Sequence, residues 1–314
     1  MRARNQRLIS LIAWLLLVLP SAAGAQDASA LAKQTQNPVS SLISFPLQAN
    51  WDFGLGDRDA VGTLLNIQPV VPFGINPSTN IILRVIMPLT SQPGADGMRV
   101  NGMGDVVATA FFSPANSGRI IWGAGPVFLL PAATNSALGS EKFGIGPSVV
   151  ALTQPGPWTI GVLYNSIWST SGANDREDVN SMFLQPFVNY NLGQGLAVGA
   201  VMEASANWEA EETWTAPLLF TVSKVTLLGK RPVNFQVAAG PTVASPEGGA
   251  SWRFRFAAIF MFPRSHHSWT HSRCGRSRPS RSWPSSRESR PGTGSGARLE
   301  PGRKTSVSGQ KVVY

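Results

Sequence analysis

The feature that most restricts this chain is a two-residue alternation that returns over most of its length. In Trp252–Phe262, residues Trp252, Phe254, Phe256, Ala258, Phe260 and Phe262 share one parity, while Arg253 and Arg255 begin the other. Successive side chains of a strand point to opposite faces, so this stretch has one face that is almost wholly aromatic. The same reading gives eleven further candidate strands, near residues 43–53, 63–71, 80–89, 105–112, 120–130, 143–152, 158–168, 181–192, 198–209, 214–222 and 233–239. Two of these, 120–130 and 143–152, are apolar on both faces, with glycines thinning one side, so their period is ambiguous. Strands of this length match the ~9–11 residues that a tilted strand needs to cross a bilayer.

Alternation also occurs in a soluble β-sandwich, so the choice rests on what occupies the second face. That face carries Asn, Gln, Ser and Thr and few Lys or Glu; charged residues make up only 14% of the chain, fewer than a solvated outer face would carry. Trp51, Trp158, Trp168, Tyr190, Trp208, Trp214 and Trp252 fall near candidate strand ends, as the interfacial girdles of a membrane barrel require. The connections alternate between long and short from Gly54–Gly62 to Gly193–Gly195 and lose the alternation over the last three. The expectation is an all-β, antiparallel, up-and-down transmembrane β-barrel of about twelve strands.

The ends differ from the middle. Arg2, Arg4 and Arg7, the apolar run Leu8–Leu19 and the small-residue site Ala23-Gly24-Ala25 read as a signal peptide, residues 1–25. This implies an exported protein; joined to the barrel reading, the expectation is the outer membrane of a Gram-negative bacterium. Residues 26–41 read as a periplasmic N-terminal segment, either loosely ordered or a small plug, and residues 42–263 as the barrel. Residues 264–314, rich in Ser, Arg, Pro and Gly, read as a disordered basic tail or an out-of-frame extension.

Charge follows this division. The net charge is +9, yet residues 26–263 hold 12 Lys/Arg against 15 Asp/Glu, while the tail holds 11 basic and 2 acidic residues. A barrel with that balance has no nucleic-acid footprint. The single cysteine, Cys274, excludes an intramolecular disulfide.

An Arg or Lys facing lipid at mid-bilayer costs ~2–4 kcal/mol. Arg84, Arg253 and Arg255 share the amide-bearing parity, so that parity belongs inside. The expected lumen lining is Gln48, Asn50, Asp52, Asn66, Gln68, Arg84, Gln185, Asn189, Glu203, Asn207, Arg253 and Arg255.

Motifs for chemistry are sparse. His266, His267, His271 and Cys274 form a weak metal set in the tail. Asp52, Glu203 and Glu209 read either as an acid pair for hydrolysis or as lumen carboxylates paired with Arg84, Arg253 or Arg255; the second account is the simpler. No Gly-x-Ser-x-Gly, zinc-protease helix or phosphate loop is present. Gly123-Ala124-Gly125 and Gly144-Ile145-Gly146 read as tight strand packing. The expectation is a protein that is not an enzyme and uses no cofactor or metal.

Several segments together resemble a family. They include Gln36-Asn37-Pro38-Val39-Ser40-Ser41-Leu42-Ile43-Ser44, Asn66-Ile67-Gln68-Pro69-Val70-Val71-Pro72, Trp122-Gly123-Ala124-Gly125-Pro126, Gln154-Pro155-Gly156-Pro157-Trp158, Gln185-Pro186-Phe187-Val188-Asn189-Tyr190-Asn191 and Ala206-Asn207-Trp208-Glu209-Ala210. Over about Leu31–Pro263 the chain resembles bacterial outer-membrane proteins grouped with the phenol meta-cleavage pathway (MetA-like), often labelled "transporter" or "neuromedin U". The resemblance implies an outer-membrane barrel that admits small, hydrophobic or aromatic solutes. Its partners would be outer-membrane lipid, the solute and the barrel assembly machinery, which recognises a terminal aromatic strand. The tail departs from the pattern, since such chains end just after the Phe-Pro of the last strand. Two functional expectations follow: a passive channel, or a non-conducting barrel whose lumen is sealed by ion pairs.

Overall fold

The computed structural model describes residues 22–94, 98–210 and 213–262. The bulk of the expected signal peptide, the metal set and the basic tail lie outside these residues. An α-helix, α1 (Ala22–Thr35), precedes a sheet of twelve antiparallel staves. They are β1 (Ile43–Leu55), β2 (Ala60–Ile67 continued by Val70–Asn76), β3 (Thr79–Pro93), β4 (Arg99–Met103 and Val106–Pro114), β5 (Ile120–Leu130) and β6 (Lys142–Thr153). The rest are β7 (Trp158–Gly172), β8 (Asn180–Gly193), β9 (Leu196–Met202 and Ala204–Asn207), β10 (Trp214–Leu228), β11 (Arg231–Ala244) and β12 (Trp252–Phe262). Each stave pairs with its sequence neighbours. β12 returns to β1, with Ile43 opposite Phe262 and Phe53 opposite Trp252. Closure leaves no sheet edge, which is what a spanning sheet requires where no water is available to satisfy backbone groups.

Side-chain direction follows the parity expected from the sequence. Phe45, Phe53, Phe112, Trp122, Trp158, Trp168, Phe220, Trp252, Phe256 and Phe262 are exposed on the outer wall. Asn50, Thr109, Ser148, Thr159, Thr221, Ser223, Asn234 and Arg255 are buried inside. A soluble globule has the opposite arrangement, because exposing that many large apolar side chains to water is unfavourable by ~25 cal/mol per Å². Aromatic pairs mark both rims. Trp158 meets Tyr190 edge-on at 4.8 Å near one end, and Trp208 meets Trp214 at 5.7 Å near the other.

One end of the barrel is closed by short turns and the other by longer loops. Gly229 and Lys230 join β10 to β11, and Gln194 and Gly195 join β8 to β9. The alternation that the sequence loses in its last connections is therefore kept, with residues 208–213, 229–230 and 245–251 reading long, short, long. One loop that reads as long from sequence, residues 91–103, is instead largely strand. β3 and β4 run on as a hairpin arm, pairing Leu89 with Met103 and Pro93 with Arg99. At 15 residues β3 exceeds what a crossing needs, so this arm projects from the loop end.

Of the two readings of residues 26–41, the structure fits the plug. They are not loosely ordered: α1 docks across the short-turn end. Its Ala28 and Ala32 pack with Leu42, Val225 and Met261. Small residues let the helix lie close to the turns. Gly195, at φ +77°, has Cβ atoms of Ala28 and Val225 only 3.0 Å from where its own would stand, so any other residue is both strained and crowded. Ser29 Oγ accepts from the Gly195 amide at 3.3 Å. The helix ends at Thr35. Asn37 Oδ1 accepts from the Val39 amide at 3.0 Å in a turn around Pro38, and the chain enters the lumen. There Val39 packs with Ile82, Phe111, Val150, Leu152 and Leu163. Gly123 makes room for it, since a Cβ there would lie 2.8 Å from Val39 Cγ1.

Candidate functional site

The lumen wall has two halves. On β1, β2, β3, β11 and β12 the inward residues include the three guanidiniums and the amides Gln48, Asn50, Asn66, Gln68 and Asn234, with Ile82, Ile86, Ala257 and Met261 between them. On β4 to β8 they are largely apolar: Phe111, Val127, Val150, Leu152, Leu163, Phe183 and Phe187. This explains why 120–130 and 143–152 lack a clear period: their inner face is also apolar, because it packs against Val39 and the phenylalanines.

Across the polar half runs an ionic brace. Asp52 and Arg253 are directly opposed on β1 and β12, as are Asn50 and Arg255. Arg253 donates from Nε to Asp52 Oδ1 at 2.6 Å and from Nη2 to Oδ2 at 3.0 Å. Arg255 donates from Nε to Asn50 Oδ1 at 2.7 Å. Glu203 reaches over from β9. It accepts from Arg255 Nη1 at 2.8 Å and Nη2 at 2.6 Å, and from Arg253 Nη1 at 3.3 Å. Gln185 on β8 donates to Glu203 Oε1 at 3.1 Å. One bidentate pair, Asp52–Arg253, links neighbouring staves, and the other, Glu203–Arg255, ties β9 to β12 across the lumen, in the geometry in which such pairs are strongest. Arg84, on β3, donates to Gln68 Oε1 at 2.8 Å.

The brace borders an internal cavity of about 320 Å³, with Gln48, Asn50, Arg84, Glu203 and Arg255 toward one side and Phe111, Leu163, Ile167 and Phe183, interrupted by Ser148 and Asn165, toward the other. A second space of about 160 Å³ lies beneath Thr35, Asn37 and Ser40. Gln48, Gln68, Arg84 and Gln185 line both spaces and so form a collar between them.

Of the lining residues expected from sequence, Gln48, Asn50, Asn66, Gln68, Arg84, Gln185, Glu203, Arg253 and Arg255 line the 320 Å³ cavity. Asp52 joins it through Arg253. Asn207 instead faces a depression among the loops, beside Asp175 and Arg176. Asn189 lies on the same stave face beyond Phe187, opposite Gly199 and outside the cavity lining. The acid pair does not assemble: Glu203 and Asp52 both hold Arg253, and Glu209 lies exposed at the loop end. The sequence reading missed the apolar lining, Phe111 and Phe183 above all. Their signal was their parity, since Phe111 shares a face with Thr109 and Phe183 with Gln185.

The short-turn end has its own polar seal. Gln36 accepts through Oε1 from Thr159 Oγ1 at 2.7 Å and from Asn191 Nδ2 at 3.2 Å. Lys33 Nζ donates to the Gly156 carbonyl. Asn234 Nδ2 donates to Thr35 Oγ1 at 2.9 Å.

A closed barrel with an apolar outer band, aromatic rims and a polar, braced interior defines the class of outer-membrane β-barrels. Within that class the fold is similar to the COG4313 outer membrane channel from Pseudomonas putida F1, at TM-score 0.56 and 14% identity, over 71% of this chain and 96% of that one. No protein-family model matches the sequence, and no curated protein does. At that identity the likeness establishes the shared fold. It bears out the barrel expected from sequence, and no family is shown by it.

One expectation is corrected. Outer membrane phospholipase A from Escherichia coli, an enzyme, is also among the structural neighbours, at TM-score 0.43 and 10% identity over 75% of this chain and 98% of that one. A likeness at that level assigns no activity here; the expectation that the chain is not an enzyme is withdrawn, because missing motifs do not exclude chemistry. A barrel is a scaffold, and chemistry depends on the side chains it presents.

Proposed function

We propose that the protein is an outer-membrane channel for small, weakly polar solutes, exported by its signal peptide and inserted with the apolar wall against lipid. The observation that carries this reading is the 320 Å³ cavity inside a closed barrel, with hydrogen-bonding groups on one side and aromatic and aliphatic groups on the other. A two-faced lumen suits solutes that are partly aromatic or hydrophobic. It is a poor conduit for sugars, which need polar partners all round. The collar and residues 28–40 stand between the cavity and the short-turn end, so passage requires that segment to shift. The segment is held by two small apolar clusters, around Ala32 and around Val39, and by separate polar contacts, so it can be displaced without opening the barrel itself.

Liposome swelling with the full chain tests this reading. Entry of small aromatic solutes above protein-free liposomes supports it; rates equal to protein-free liposomes count against it. The brace supports a second reading, a non-conducting barrel in which Glu203, Arg253 and Arg255 lock the walls together. In that case Arg253→Ala creates conductance where the unmodified protein has none.

A further inference from the structure

We propose that the lumen cavity is a binding site for a small monoanion with an apolar body, such as a carboxylate on a single ring, held by its charged head on Arg84. This deepens the channel reading by giving the cavity a ligand class, and it rests on the same cavity.

The argument begins with charge. The cavity and its brace contain three guanidiniums, Arg84, Arg253 and Arg255, and two carboxylates, Asp52 and Glu203. The carboxylates are both engaged by Arg253 and Arg255. Arg84 forms no ion pair within 4.0 Å among the described residues, and its hydrogen bond goes to the neutral amide of Gln68. A guanidinium has five N–H donors in a planar fork. Glu203 attracts that of Arg84 from beyond ion-pair range but is already held by Arg253 and Arg255, so this enclosed guanidinium stays under-compensated until another anion joins it. One negative charge neutralises the set, while two would overshoot it.

The apolar wall begins beside that cation. Arg84 is opposite Thr109 in the β3–β4 ladder, and Phe111, two residues on, faces the same way. Phe111, Leu163, Ile167 and Phe183 complete the far side of the cavity. A ligand with its carboxylate on the Arg84 fork therefore has its body against these side chains. A volume of about 320 Å³ lies at the small end of ligand sites and suits one ring or a short chain.

The test is isothermal titration calorimetry of the full chain in detergent with benzoate, benzyl alcohol and benzylammonium, three probes with nearly the same body. Benzoate is expected to bind at least ~10-fold tighter than benzyl alcohol, the step expected of a charged hydrogen bond, and benzylammonium weakest. In Arg84→Gln the benzoate advantage falls to within about twofold of benzyl alcohol, since only that charged hydrogen bond is removed. Phe183→Ala weakens benzoate and benzyl alcohol together. No heat with benzoate, equal binding of the three probes, or an unchanged preference in a folded Arg84→Gln protein overturns the proposal. The three-probe comparison on the unmodified protein decides the matter even if the variant does not fold. Benzoate binding without solute flux retires the channel reading alone; flux without benzoate preference retires this one alone.

Discussion

Removing the carboxylate of Glu203 tests the brace and its energetics together. In Glu203→Gln the side chain keeps its size, but Arg255 loses a bidentate anion held at 2.6 and 2.8 Å, and Arg253 loses a contact at 3.3 Å. The side chains of Arg255 and Glu203 are only 4% and 11% exposed, so water replaces the lost partner poorly. Breaking a buried pair from one side costs ~3–5 kcal/mol. The glutamine oxygen still accepts one hydrogen bond, and Asp52 still holds Arg253, which lowers the expected loss to about 2–3 kcal/mol. Unfolding in guanidinium chloride, followed by tryptophan fluorescence in detergent, measures it. A double-mutant cycle with Arg255→Met then isolates the pair, with an expected coupling of about 1.5–3 kcal/mol. Coupling below ~0.5 kcal/mol refutes the reasoning, because it is the value of a solvated surface pair.

Other perturbations separate the remaining parts of the account. Gly195→Val forces a β-branched side chain into a left-handed backbone position against Ala28 and Val225; the expected outcome is release of α1, read as faster proteolysis after Lys33 with the barrel intact. Val149→Arg places a charge on the outer wall, where Val149 is 43% exposed, and is expected to lower stability by ~2–4 kcal/mol, against less than ~1 kcal/mol for Gln236→Arg inside. At the loop end Asp178 accepts from Lys142 Nζ at 3.0 Å and from Ser169 Oγ at 3.1 Å, and the Lys142 bond, ahead of the Ser169 bond and the lysine's charge, holds its carboxyl below the ordinary range. Because the folded value is the lower one, the contribution is present in full above the ordinary aspartate range and lost as pH falls through the folded value. Asp178→Asn should remove that part of the acid dependence of loop order, read by amide exchange at Val179.

The barrel was legible because lipid imposes a strict rule. Every outward residue of a stave must be apolar at mid-bilayer, so parity survives in single strands such as Trp252–Phe262. The three guanidiniums were placed inside by the same rule. Legibility failed where the rule stops. Ser91, Gln92 and Arg99 lie on a hairpin arm beyond the apolar band, both faces are wet, and the alternation vanishes although the strands continue. α1 was left open between a loose segment and a small plug for another reason. Its sequence is short and weakly apolar, and its partners are scattered: Gly156, Asn191, Gly195 and Asn234 lie far apart in the chain and meet only at the short-turn end. No local pattern encodes such a docking surface. The engaged carboxylates were foreseen as a class, but the choice of Glu203 as the chord across the lumen depends on how far β9 lies from β12 around the ring.

The claim on which all else depends is that one parity of each stave meets hydrocarbon while the other faces a hydrated interior. Spin labels placed singly at 254 to 260 of β12, in a Cys274→Ser background and reconstituted in lipid, measure it through collision with oxygen, which concentrates in acyl chains. Oxygen accessibility that peaks at 254, 256, 258 and 260 and drops at 255, 257 and 259 is the predicted result. A flat profile, or one with its maxima at 255, 257 and 259, contradicts the account.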